Sequence, residues 1–225
     1  MFFPLCKKTI DIYYANCRVH QRVHDMMLSL LTTQELEVYY KYKIGYRRRE
    51  YLVGRYLLKT LFGYYLNTKP KDIAVLIDDY GKPYVPEQDI EFNLSHSLEM
   101  VVCAVNVGRK IGVDIEKITN NIFELVERFF SPNEAYYIFM QDDKDKNYEA
   151  YRLWTMKEAY LKALGKGLFL PLNSFDLFAE TDMFFYSLKP KMDYILSVAV
   201  ENKTKEILNI RVKELQFDNE NVIGF

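Results

Sequence analysis

The sequence predicts an α+β protein made of two similar α/β halves, and three observations carry that expectation. Each half holds one long helix followed by strands, and the strands after the second long helix form an antiparallel meander. Gly81-Lys82-Pro83 also faintly echoes Gly165-Lys166-Gly167. The halves are expected at residues 1–108 and 109–225, and a 49% hydrophobic fraction is ample to fill a core in each.

The elements follow in order. Thr9 to Tyr14 alternates as a first strand, and Arg18 to Leu31 has helical spacing. Thr32-Thr33-Gln34-Glu35 is a capping box that starts a second helix. A long helix from Arg47 to Leu66 carries Leu52, Tyr56, Leu57 and Leu61 at helical intervals. Asp72 to Asp78 is expected as a strand, then Gly81, Pro83 and Pro86 make a rigid turn. Strands at Ile90–Leu94, Met100–Val107 and Ile111–Lys117 come next, with Ser95 and His96 closing the first of them. Asn120 or Asn121 caps a helix that ends near Phe130, and Ser131-Pro132-Asn133-Glu134 is a complete helix start. Gln141 to Asn147 is charged and expected as a loop. The second long helix runs from Tyr148 to Leu164 with Gly165 as its C′ residue. Four short strands are expected after it, at Ser174–Phe178, Met183–Leu188, Tyr194–Val200 and Leu208–Leu215.

With 30 basic and 31 acidic residues the net charge is -1, so nothing global argues for nucleic acid or an anionic membrane, and any anion site must be local. Three cysteines without Cys-x-x-Cys spacing suggest neither a disulfide framework nor a zinc site. No apolar run approaches a membrane span. The expectation is a cytoplasmic protein.

Chemistry concentrates at Ile111-Gly112-Val113-Asp114-Ile115-Glu116-Lys117. On a strand, Gly112, Asp114 and Glu116 share one face while Val113 and Ile115 take the other. Bare carboxylates about 4 Å apart repel by roughly 4 kcal/mol at an effective dielectric of about 20, so such a pair wants a cation or solvent between its members. A solvated acidic face is the commoner outcome for such a strand. On the second long helix Glu158 and Lys162 share a face, with Lys157 beside them. Three carboxylates, several lysines and the run Arg47-Arg48-Arg49 suit a divalent metal holding a polyphosphate.

Gly112-Val113-Asp114-Ile115-Glu116, taken with the stretch from Trp154 through Lys157-Glu158, Lys162 and Gly165 to Leu168, closely resembles the paired signature of the Sfp-type 4′-phosphopantetheinyl transferases. Gly81-Lys82-Pro83, the run Phe92 to Ser97 and Arg128-Phe129-Phe130-Ser131 resemble that family's other blocks, in its order. The resemblance implies a pseudo-dimer of two α/β halves with the site at their junction. It also implies transfer of phosphopantetheine from coenzyme A to a serine of an apo acyl or peptidyl carrier protein, releasing adenosine 3′,5′-bisphosphate. Asp114, Glu116 and Glu158 would ligate Mg²⁺, or Mn²⁺ in its place. Lys157 and Lys162 would neutralise phosphate, Ser95 and His96 would hold the 3′-phosphate, and Lys82 with Pro83 would border the adenosine. Glu158 and Lys162 would be catalytic, with Glu158 or a metal-bound water as base. Family members often have a basic residue where Glu50 stands, so one of Arg47, Arg48 and Arg49 is expected to reach the 3′-phosphate instead. By analogy with the family the chain is expected to act as a monomer. A metal-dependent phosphodiester hydrolase and a non-catalytic carrier-binding module are the competing readings.

Overall fold

The structure, a computed structural model, describes residues 2–79, 81–86, 89–119, 122–165 and 170–217. The readings placed on Asn120, Asn121, Lys166, Gly167 and Leu168 fall outside them. The chain divides into two units, Met1–Gly108 with Leu208–Phe225, and Arg109–Ile207.

In the first unit, strand β1 (Thr9–Asn16) leads to helices α1 (Gln21–Leu28), α2 (Thr33–Lys41) and α3 (Gly45–Tyr65). A small β2 (Leu76–Ile77) and β3 (Pro83–Tyr84) pair with each other, and β4 (Ile90–Ser97) and β5 (Met100–Val107) follow. β5 pairs antiparallel with both β4 and β1. One face of α3 buries Leu52, Val53, Tyr56, Leu57 and Leu61, which cluster with Tyr13, Val101 and Cys103 of the sheet. Each fully buried aliphatic side chain of this stripe contributes about 1.5–3 kcal/mol.

The second unit repeats the plan: β6 (Ile111–Lys117), α4 (Phe123–Phe129), α5 (Pro132–Phe139), α6 (Asp143–Leu164), β7 (Met183–Leu188) and β8 (Tyr194–Glu201). β8 pairs antiparallel with β6 and β7, as β5 does with β1 and β4. Ile122, Val126, Ile138, Leu153 and Ile195 form its core.

The structure corrects the second half's extent. Strand β9 (Asn209–Leu215) lies parallel to β1, from Thr9 opposite Asn209 to Ala15 opposite Leu215, and so completes the first unit's sheet. Arg211 fastens the pair by donating to both carboxylate oxygens of Asp11 at 2.6 and 2.8 Å. A partner two hundred residues away leaves no local pattern, which is why 109–225 reads as one half.

Three local expectations also change. The expected strand at Asp72–Asp78 shrinks to Leu76–Ile77, because Pro70 starts a 3₁₀ turn through Asp72. The expected loop at Gln141–Asn147 is mostly the first turn of α6, where Asp143 and Asp145 suit the positive end of the helix. Ser174–Phe178 is not a strand; Leu172–Ser174 is a 3₁₀ turn. Gly165 ends α6 as expected, in the left-handed region at φ 68°.

Candidate active site

Gly112 determines how closely α6 approaches β6. A Cβ built on Gly112 would lie 2.0 Å from the Ala159 carbonyl oxygen and 2.4 Å from the Ala163 nitrogen, so only glycine allows this contact. Ala159, Ala163 and Ala199, the last opposite Gly112 on β8, complete a patch of small residues. Next along the same face, Thr155 bonds Ser197 at 2.7 Å, and Ser197 stands opposite Asp114.

That close approach brings Glu158 and Lys162 to Asp114. Asp114 is buried, and its Oδ1 accepts from Lys162 Nζ at 2.6 Å. Burial, then the Asp114 charge, push the Glu158 carboxyl above the usual carboxylate range, and Lys162 opposes them. Two carboxylates thus share one ammonium.

The expected three-carboxylate cluster is not assembled. Among the described residues no three His, Cys, Asp or Glu side chains stand together as a metal site. Same-face neighbours on a strand lie about 6.6 Å apart, so Glu116 sits one step beyond the Asp114–Glu158 pair. The donor chemistry still fits a hard divalent cation: the carboxylates are oxygen ligands, and no sulfur or imidazole competes within this pair.

Lys157 is a second correction. It is fully buried and donates to both oxygens of Glu134 at 2.8 and 2.6 Å and to the Phe175 carbonyl at 2.9 Å. Its ammonium lies 4.1 Å from the centre of the Phe175 ring. Burial lowers its pKa and Glu134 opposes that shift. The cause is helical geometry: Lys157 is four residues from both Leu153 and Leu161 and turns inward with them, away from its neighbour Glu158.

The first unit holds a cleft of about 400 Å³. One stripe of α3 lines it, with Arg47, Glu50, Gly54 and Arg55, opposite Pro83 and His96. Arg47 Nη1 lies 3.3 Å from both Glu50 Oε2 and His96 Nδ1. Of the expected arginines only Arg47 lines this cleft. Arg48 turns back to the Tyr42 carbonyl, at 3.2 and 2.7 Å, and lies over the Tyr39 ring. Arg49 is half-buried elsewhere, where its charge is felt by Cys17. Ser95 is buried and, as His96's neighbour on β4, faces the opposite side of the sheet from the cleft. Lys82 borders an adjoining hollow with Pro83, its ammonium 3.6 Å from Glu91. Sequence reasoning placed Arg55 in the basic cluster at the start of this helix but missed Glu50 and Glu134 as partners; the three-residue spacing from Arg47 to Glu50 on one helix was the available signal for the first.

Two family models match the chain: the 4′-phosphopantetheinyl transferase superfamily over residues 110–201, and the N-terminal region of 4′-phosphopantetheinyl transferase over residues 18–108. The chain is 35% identical to the 4′-phosphopantetheinyl transferase gsp of Aneurinibacillus migulanus over 162 residues, 70% of this chain and 65% of that protein. It is 34% identical to a 4′-phosphopantetheinyl transferase of Bacillus subtilis over 159 residues, 70% of each. It is 31% identical to the 4′-phosphopantetheinyl transferase Sfp of Bacillus subtilis strain 168 over 170 residues, 75% of each. The matched part thus spans about two thirds to three quarters of these relatives' lengths. Two contiguous family matches, and relatives above 30% identity that reach across both units, agree with the pairing of β6 and α6: the chain belongs to the 4′-phosphopantetheinyl transferase superfamily.

Proposed function

We propose that this chain transfers 4′-phosphopantetheine from coenzyme A to a serine hydroxyl of an apo acyl or peptidyl carrier protein, releasing adenosine 3′,5′-bisphosphate. The observation that carries the reading is the meeting of Asp114, Glu158 and Lys162 where Gly112 lets α6 touch β6. Mg²⁺, or Mn²⁺ in its place, is the ion the donors fit, held by Asp114 and Glu158 with Glu116 nearby, and it supplies Lewis-acid stabilisation to pyrophosphate oxygens when bound. Lys162 neutralises negative charge that grows on the phosphate oxygens as the hydroxyl attacks phosphorus and the nucleotide leaves. Glu158, its pKa raised by burial and Asp114, is the base for the serine proton. The first unit's cleft, bordered by Arg47, His96 and Pro83, takes the nucleotide end.

Lys157 has a supporting role in this reading: its buried pair with Glu134 holds the turn of α6 that presents Glu158. No helix among the described residues is long and apolar enough to cross a membrane. The reading places the chain in the cytoplasm as a monomer, consistent with its free Cys6, Cys17 and Cys103.

The test is to incubate the chain with coenzyme A, Mg²⁺ and an apo carrier protein, then weigh the carrier. A gain of one phosphopantetheine is expected. Coenzyme A cleavage without carrier labelling would make it a hydrolase, and carrier binding without either would make it a recognition module.

A further inference from the structure

Among the described residues, two side chains that line the first unit's cleft each carry a buried polar atom without a hydrogen-bond partner: Arg55 Nη1, a donor, and Glu50 Oε1, an acceptor. Leaving such atoms unsatisfied is costly; an anion answers the donor alone, and the acceptor needs a hydroxyl or amino hydrogen such as a nucleoside carries. The cleft's other candidate partners for an anion are already engaged. Glu50 is 1% exposed, and its Oε2 lies 3.3 Å from both Arg47 Nη1 and His96 Nδ1, so one buried carboxylate faces two groups that would otherwise turn to an anion. Arg55 is oriented by stacking on Tyr51, with its guanidinium carbon 5.3 Å from the ring centre, and this leaves Nη1 for another acceptor.

We propose that Arg55 is the residue that binds the anionic group of the nucleotide in this cleft, and that Glu50 is a positioning residue that holds Arg47 and His96 and weakens their claim on that anion. This rests on the reading that the cleft takes the nucleotide end of coenzyme A. A guanidinium suits the role, because it keeps its charge when buried and gives phosphate oxygens parallel N–H donors. The cleft thus keeps a guanidinium five residues beyond the acidic position 50, about a turn and a half further along α3.

The experiment measures binding to the whole chain by calorimetry, with adenosine 3′,5′-bisphosphate and adenosine 5′-monophosphate as probes. Arg55→Gln should weaken the bisphosphate about tenfold or more, the size of one lost charged hydrogen bond, while the monophosphate changes less than about threefold. Arg55→Lys should recover part of the loss, which separates loss of charge from loss of fold. Glu50→Gln should tighten the bisphosphate alone, because Arg47 and His96 are then free to share it. Equal losses for both probes in Arg55→Gln, no loss in it, weaker bisphosphate binding in Glu50→Gln, or no binding of either probe by the unmodified chain would each overturn the proposal. Carrier labelling with an Arg55 that discriminates nothing would leave the transferase reading standing and remove this one. Arg55-dependent nucleotide binding without labelling would do the reverse.

Discussion

In the first unit the capping-box residue Glu35 meets Lys59 of α3 at 3.1 Å, and in the second Glu134 of another capping box meets Lys157 of α6 at 2.6 Å. Each lysine is fully buried, and each also donates to a backbone carbonyl further along the chain, Ile73 or Phe175. Three strands pair in the same order in each unit, β4-β5-β1 and β7-β8-β6, so the two units share one frame. They part at the next residue. After Lys59 comes Thr60, whose hydroxyl turns back to the Tyr56 and Leu57 carbonyls of its own helix; after Lys157 comes Glu158, beside Asp114. Their first strands part as well: Asp11 is held by a bidentate Arg211 and Asp114 by the single ammonium of Lys162. The comparison teaches that the buried lysine pair is common scaffold; in the proposed transferase, chemistry enters through one helix position and through an aspartate held by a lysine ammonium.

The sharpest way to break this contrast is to exchange the residues after the lysines. Glu158→Gln should lower carrier labelling by about 10³-fold, in the range for loss of a general base or a charge-stabilising group, with the melting temperature unchanged or higher. Thr60→Val should leave labelling unchanged. Comparable losses in the two would make α6 as purely structural as α3.

The scaffold claim is tested by denaturant unfolding. Lys157→Met strands the Glu134 carboxylate, which is 0% exposed, and should cost about 3–5 kcal/mol. Lys59→Met should cost less, about 1–3 kcal/mol, since Glu35 retains some access to water. The reverse order would show that the two pairs are not counterparts.

Glycine sharpens the comparison next. Gly112→Ala drives a Cβ into helix backbone and should cost about 3 kcal/mol or slightly more, whereas Gly54→Ala meets side-chain ends alone, Leu94 at 2.9 Å and Val101 at 4.0 Å, and should cost about 1 kcal/mol. Labelling should fall with Gly112→Ala even where the fold survives, because α6 carries Glu158 and Lys162 away from Asp114.

The smallest effect concerns pH and the first unit's own aspartate. Burial raises the Asp11 pKa, with Arg211 opposing it. A raised folded pKa means that Asp11's contribution is fully present below its unfolded value of about 3.9 and is lost as pH rises through the folded one. The stability of the unmodified chain relative to Asp11→Asn should therefore decline from about pH 3 upward through the carboxylate range. Melting curves at several pH values check it; a gap that widens in the unmodified chain's favour would place the Asp11–Arg211 pair among net stabilising ones.

Much of the frame was legible in single stretches. Thr32-x-x-Glu35 and Ser131-Pro132-x-Glu134 announced two helix starts, and both capping boxes are formed. The alternation of β6 placed Gly112 and Asp114 on one face, which is the face α6 covers. Even the inward turn of Lys157 was written in its four-residue spacing from Leu153 and Leu161, although its proximity to Glu158 in sequence suggested a shared task.

By itself, the sequence determined the pieces: where helices begin, which side chains share a strand face, and which strand and helices carry the carboxylate, ammonium and guanidinium groups. Those follow from backbone sterics and from hydrogen bonds that span a few residues. Only the tertiary structure decided the partners: β9 against β1, Glu134 for Lys157, Lys162 for Asp114, and Glu50 for Arg47 and His96. A buried charge settles with whichever opposite charge the packed chain brings within reach, and no local pattern specifies which that is.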